Sequence, residues 1–264
     1  MNLDRYVERQ SPVHRADARP KFLLTIAFIL SLSLLPVGSF AALGLAWLAV
    51  LALSIVARLG PIRIIRGSFI ALPFVFAALP LLFTKHGDPL GSVDLGLFTL
   101  TLSGEGLRIV ATITLKSWIS VQAATLLVFT TTFHDLLEGL ARLRFPKLMI
   151  AIVSLMYRYL AVLTGEATRM MRARSSRMAE APERKRPSIR WQARVVGNMV
   201  GALFVRSYER SERVYVAMQS RGYQGHIAHV HERPLSAGAW AALVGGILLA
   251  AGFELSAHLW LPHA

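Results

Sequence analysis

The hydrophobic positions of the chain fall into long runs, unlike the strict alternation or narrow stripes of a soluble domain. Phe22–Leu35 is apolar and is closed by Pro36-Val37-Gly38. Phe40–Ala57 follows at once, so the two predict a tight helical hairpin. Ser68–Thr84 is a third run, with Pro73 and Pro80 inside it, which a spanning helix tolerates where neighbours satisfy the freed carbonyls. Gly106–Phe129 is a fourth, interrupted by Lys116. Ala237–Trp260 is a fifth, with Trp240 and Trp260 near its ends as interfacial anchors. Apolar runs of roughly 17 to 25 residues cross a bilayer as helices. The pattern predicts an all-α integral membrane protein with about five transmembrane helices and two further long helices. The opening Met1–Lys21 is polar and mixed in charge, and no small-residue cleavage site follows the first run, so a cleavable signal peptide is not expected.

Two segments between the runs have patterns of their own. In the Lys85–Gly104 loop, Val93, Leu95, Leu97 and Leu100 alternate with polar or small residues, which fits a short β-hairpin or a strip lying on the membrane surface. The segment from Thr131 to Ser236 is longer and more polar. Phe133–Leu143 predicts an interfacial amphipathic helix, with Phe133, Leu136, Leu137, Leu140 and Leu143 on one face, basic Arg142, Arg144 and Lys147 at its end, and Pro146 as its stop. Ile150–Met178 predicts a long helix, its first half apolar and its second half basic; Ile150–Leu163 is apolar enough to sink into the membrane. Ala179–Ser188 breaks the pattern with Pro182, Pro187 and a charged cluster. A second long helix is predicted from Ile189 to Arg221. Val196, Val200, Leu203, Ser207, Ser211, Val214 and Met218 form a heptad-like seam, the small Ser207 and Ser211 allow another helix to cross closely, and Gly222 and Gly225 stop the helix.

Charge fixes the orientation. Only 17% of residues are charged and 54% are hydrophobic, yet the net charge is +14 and the mean hydropathy +0.50. A nucleic-acid binder spreads its basic residues through a polar chain, so that class is excluded. Eighteen basic residues lie between Arg142 and Arg233, and Arg58, Arg63 and Arg66 follow the second run. By the positive-inside tendency the amino terminus, the Arg58–Gly67 loop and the Thr131–Ser236 segment are cytoplasmic, and five spans leave the carboxy terminus outside. Expected boundaries are 1–133 for the amino-terminal membrane helices, 134–236 for a cytoplasmic coupling domain and 237–264 for the last membrane helix.

The two long helices end alike. Met171-Arg172-Ala173-Arg174-Ser175 and Met218-Gln219-Ser220-Arg221-Gly222 share the form Met, any residue, small, Arg, small. An arginine between small neighbours enters a groove on another protein unobstructed, and its planar fork binds carboxylates bidentately. Two such ends suit a partner with two similar grooves; ordinary basic helix ends favoured by the macrodipole are the plainer explanation.

Other candidates carry less. His226, His229 and His231 have the spacing of loop metal ligands, but as solvated residues ahead of the last run they need no metal, and that reading is preferred. Lys116 and Glu254 are ionisable residues in apolar runs, and structural roles are favoured for both; Arg158 is read as a packing or headgroup contact. There is no cysteine, no Gly-x-x-x-x-Gly-Lys-Ser/Thr phosphate loop, and no placeable Ser/His/Asp set or carboxylate pair, so neither catalysis nor nucleotide binding by this chain is expected.

Taken with Asp4-Arg5-Tyr6, His14-Arg15-Ala16-Asp17-Ala18-Arg19-Pro20-Lys21, Thr130-Thr131-Thr132, Leu143-Arg144-Phe145-Pro146-Lys147 and Met156-Tyr157-Arg158-Tyr159, these signatures make nearly the whole chain resemble a T component of an energy-coupling-factor (ECF) transporter, of the CbiQ type found in cobalt uptake. Serine replaces glycine in the first of its two Ala-Arg-Gly-like signatures, Ala173-Arg174-Ser175, and alanine in the second, Ser220-Arg221-Gly222. The resemblance implies a non-enzymatic subunit of a bacterial inner membrane, linking two cytoplasmic ABC-type ATPases, which bind ATP and Mg, to a membrane subunit that captures cobalt (CbiM-like, with or without a small CbiN-like subunit). It further implies that Arg174 and Arg221 dock on the two ATPases, that Ala173, Ser175, Ser220 and Gly222 give them clearance, and that metal is captured in another subunit. Nickel or vitamin importers use similar T components; a stand-alone carrier or membrane enzyme is the rival from a different class.

Overall fold

Proline and glycine set most of the helix boundaries. A computed structural model of the chain describes residues 6–9, 11–80, 89–94, 99–178 and 188–223, with isolated positions between 238 and 252. Its helices are α1 (Pro12–Arg15), α2 (Ala18–Leu34), α3 (Phe40–Val56), α4 (Pro61–Gly67), α5 (Leu72–Ala78), α6 (Gly104–Thr130), α7 (Phe133–Arg142), α8 (Lys147–Met178) and α9 (Ile189–Ser220), and a 3₁₀ turn at Ser68–Ala71 joins α4 to α5. Beside them stands one antiparallel hairpin, β1 (Pro89–Asp94) with β2 (Thr99–Ser103), in which Val93 pairs with Leu100; this is one of the two forms the alternation allowed. The chain divides into two compact units, residues 4–139 with 233–264, and residues 140–232 with 1–3.

The third apolar run departs from expectation. Arg58–Gly67 is not wholly a loop, because Gly60 (φ +74°) turns the chain and Pro61 occupies the first helical turn, where its missing N–H costs nothing. The helix therefore starts ahead of Ser68. It tightens to 3₁₀ just before Pro73, which has no N–H to continue the ladder. Residues 81–84 of the expected span, and most of Ala237–Trp260, lie outside the described residues.

In the first unit, α3 buries Leu43, Ala46, Val50 and Ser54 at spacings of three and four, while Leu45, Leu48 and Ile55 on its other faces stay more than half exposed. That is the pattern of a helix whose surroundings are hydrocarbon. The buried face packs with Leu32, Leu35, Ile119 and Ala123, and a second cluster joins Ala57, Leu59, Ile64 and Phe129. Apolar burial drives helix association weakly inside lipid, so close packing and internal hydrogen bonds of about 0.5–2 kcal/mol decide the arrangement. Two lysines supply such bonds reciprocally. Lys21 at the start of α2 donates to the carbonyl of Thr130 at the end of α6 (3.3 Å), and Lys116 in α6 donates to the carbonyls of Ser33 (3.1 Å) and Leu35 (2.6 Å) at the end of α2. Each cation meets the negative end of the neighbouring helix. The α2–α3 turn is held from the same side: Gly38, at φ +91°, donates its N–H to the Thr112 hydroxyl (3.2 Å).

Among the described residues two helices, Gly104–Thr130 and Lys147–Arg177, are long and apolar enough to cross a membrane, and Phe40–Val56 is a shorter apolar helix. The amphipathic helix appears as α7, capped by the Thr132 hydroxyl, which accepts from the Asp135 N–H (3.1 Å). Its Leu137 and Gly139 are buried, and Gly139 lies against Ala18 closely enough that a Cβ there would stand 3.4 Å from the alanine's.

Candidate functional site

The second unit is built around α8 and α9, whose observed limits fall within a few residues of the periodic segments. The Ser188 hydroxyl accepts from the Trp191 N–H (3.3 Å) and so starts α9 at Ile189. Among the described residues α9 buries no side chain, and Val196, Val200 and Phe204 on it are 46%, 60% and 69% exposed. Of the predicted seam, Leu203, Ser207, Val214 and Met218 are half-buried, while Ser211 stays exposed.

The two helices meet at a cleft lined by Leu163, Glu166, Leu203, Arg206, Ser207 and Arg210. Glu166, the one acidic residue of α8, joins them: Arg206 of α9 donates to its carboxylate at 2.8 Å, and Arg169, one turn along α8, donates to its other oxygen. Hydrogen bonds from Arg169 and Arg206, with the charges behind them, hold the Glu166 carboxyl below the usual carboxylate range. The bridge from Arg206 to Glu166 ties α9 to α8 at one level and so fixes their register.

The two arginine signatures are differently built. Ala173-Arg174-Ser175 lies inside α8, one turn before its end, with the Ser175 hydroxyl folded back on the Arg172 carbonyl (2.8 Å). The Arg174 guanidinium carbon lies over the Trp191 ring, 5.8 Å from its centre, and its Nε is shielded without a hydrogen-bond partner. Ser220-Arg221-Gly222 ends α9. The Tyr223 N–H reaches the Met218 carbonyl (3.0 Å) and the Gly222 N–H reaches that of Gln219 (2.9 Å), the two bonds of a Schellman stop, with Gly222 at φ +79°. Gly222 thus has a backbone reason to be glycine besides leaving room for Arg221. Ala173, Ser175, Ser220, Arg221 and Gly222 are all exposed, and Arg174 is half-buried. Neither arginine has an ion pair among the described residues. Because Trp191 adjoins Arg174 at the start of α9 and Arg221 closes its far end, the two guanidiniums stand apart by roughly 45 Å of helix axis at 1.5 Å per residue.

His226, His229 and His231 lie outside the described residues, and among the described residues no three His, Asp or Glu side chains gather as metal ligands. Sequence reasoning missed Trp191 and the Glu166–Arg206 bridge. A lone acid in a basic helix and a tryptophan three residues after a serine cap were the available signals.

The family profile described as CbiQ, cobalt transport protein, matches residues 9–231, and the chain belongs to that family. It is 30% identical to the energy-coupling factor transporter transmembrane protein EcfT of Heliobacterium modesticaldum over 89% of this chain and 88% of that one. It is 31% identical to an uncharacterised protein of Methanocaldococcus jannaschii over 58% of this chain, and spans half of that relative's length. It is also 28% identical to a fused cobalt transport protein, CbiMQ, of Methanocorpusculum labreanum, over 91% of this chain but 41% of the fused one.

Proposed function

We propose that this chain is the coupling subunit of an ATP-driven cobalt(II) importer, linking two cytoplasmic ABC-type ATPases to a membrane subunit that captures the metal. The observation that carries the reading is the pair of arginine signatures, without carboxylate partners among the described residues and set at opposite ends of α9. A partner with two similar grooves is gripped at two separated points by such a pair, and a shift of one point relative to the other turns the helices between them. Arg174 and Arg221 are the docking charges; Ala173, Ser175, Ser220 and Gly222 give them clearance.

In this reading residues 1–133 and 237–264 are the membrane part and 134–236 the cytoplasmic coupling part, in a multi-pass protein of the cell membrane with a cytoplasmic amino terminus. ATP and Mg belong to the ATPases, and this chain performs no catalysis. The unpartnered apolar positions of α9, Val196, Val200 and Phe204, suit a neighbouring membrane subunit. The family description and the CbiMQ fusion favour cobalt and a CbiM-like capture subunit.

The test is uptake of radioactive cobalt by cells carrying Arg174→Ala together with Arg221→Ala. The expected result is uptake at background with normal membrane insertion. Uptake at the unmodified rate rejects the docking assignment. Nickel accumulating in place of cobalt in unmodified cells rejects the cargo alone.

A further inference from the structure

We propose that Trp191 is the positioning residue for Arg174, holding its guanidinium as a preformed fork for the ATPase groove; this rests on the docking reading above. The contact spans the two long helices, with Arg174 near the end of α8 and Trp191 in the first turn of α9. The separation of 5.8 Å lies inside the range, about 6 Å, over which a guanidinium is held by an aromatic face.

The chemistry of this partner matters. A carboxylate beside Arg174 would consume the N–H edge that a groove must use. An aromatic face takes up the flat side of the guanidinium and leaves that edge unspent. Nε is already shielded by its surroundings and makes no hydrogen bond, which leaves the two terminal nitrogens as the presented fork. The backbone of Trp191 is fixed at the helix start, where its main-chain N–H donates to the Ser188 hydroxyl, and the residue remains 41% exposed, within reach of a partner.

Arg221 shows the contrast. It is exposed, and among the described residues it has neither an aromatic nor an acidic partner. The two tips are therefore prepared unequally: the α8 tip meets its groove with the arginine already oriented, while the α9 tip orders its arginine on contact. Ordering a long side chain on contact weakens binding, and prior orientation avoids that loss.

The experiment is a binding titration of the full chain in lipid nanodiscs with purified ABC-type ATPase dimer of an energy-coupling-factor transporter from the same cells. Trp191→Ala, Trp191→Phe, Arg174→Ala and the double variant Arg174→Ala/Trp191→Ala are compared with the unmodified protein. Trp191→Ala is expected to weaken binding about two- to fivefold, the factor an exposed cation–π contact corresponds to. Trp191→Phe keeps an aromatic face and restores most of that loss. In the Arg174→Ala background, Trp191→Ala produces no further loss, because the group it positions is gone. An equal loss in both backgrounds marks Trp191 as merely structural and overturns the proposal, as does an unchanged affinity for Trp191→Ala. Unchanged affinity in Arg174→Ala alone removes the docking reading itself, an outcome read in a different variant.

Discussion

The Lys116 ammonium nitrogen lies 2.6 Å from the backbone carbonyl of Leu35, and it reaches the Ser33 carbonyl as well. An ionisable residue at membrane depth is by default a functional candidate, yet here its donors serve the end of α2, where Pro36 stops the helix and leaves carbonyls without partners. Lys116→Met is therefore expected to lower stability by about 1–3 kcal/mol, the cost of leaving such groups unpaired. Thermal unfolding in detergent checks this, alongside cobalt uptake normalised to the folded protein. Normal stability with lost uptake assigns Lys116 to transport instead.

Gln122 faces the opposite predicament. It is fully buried in α6 between Ile119 and Ala123, and neither its amide oxygen nor its nitrogen has a hydrogen-bond partner. An unpaired buried amide costs about 1–3 kcal/mol, and an apolar side chain of similar volume removes that cost with little repacking. Gln122→Leu is expected to raise the unfolding midpoint. A lowered midpoint means that the amide is bonded in the membrane-embedded protein and that the bond contributes to stability.

The helices were legible in the sequence because their signals are local. Pro146, Pro187 and Gly222 mark the limits of α8 and α9 directly, and the length of each apolar run bounded the rest. The start of α4 was obscured by Arg63 and Arg66, whose charge reads as loop although Gly60 and Pro61 spell a helix start. For the site, the arginines were visible and their surroundings were not. Trp191 and Arg174 are brought together by the way α8 and α9 cross, as are Glu166 and Arg206, and no spacing along one helix encodes a crossing.

His14 makes stability depend on pH. Its Nδ1 stands 2.7 Å from the Ser11 hydroxyl, its ring meets Tyr6 edge-on, and its Nε2 is buried. Burial first, then the charges of Lys21 and Arg9, lower its pKa from the ordinary 6.5, against a backbone hydrogen bond involving Val7 that acts the other way. The unfolded chain therefore binds the proton more readily than the folded one. Stability falls as pH drops below 6.5 and levels off only below the folded-state value. His14→Asn, whose amide can replace Nδ1 toward Ser11, is expected to flatten this dependence. Parallel unfolding midpoints for the two proteins between about pH 5 and 7 would refute the assignment.

The arginine tips allow a separate test of whether charge or shape is recognised. Lysine at 174 and 221 keeps both positive charges and leaves the overall +14 unchanged, so long-range attraction to an acidic groove is preserved. What it removes is the planar fork. A point-like ammonium cannot make two parallel bonds to one carboxylate, and it lacks the flat face that the Arg174 guanidinium offers to Trp191. Bidentate recognition therefore predicts that Arg174→Lys/Arg221→Lys, inserted normally, binds ATPase at least about tenfold more weakly, a difference of about 1.4 kcal/mol. Association should slow little while dissociation quickens, because steering depends on charge and residence on the fitted contact. Surface plasmon resonance on nanodisc-held protein resolves the two rates. Unchanged dissociation means that the grooves recognise positive charge alone, and the role given to the arginine fork is then wrong at both tips.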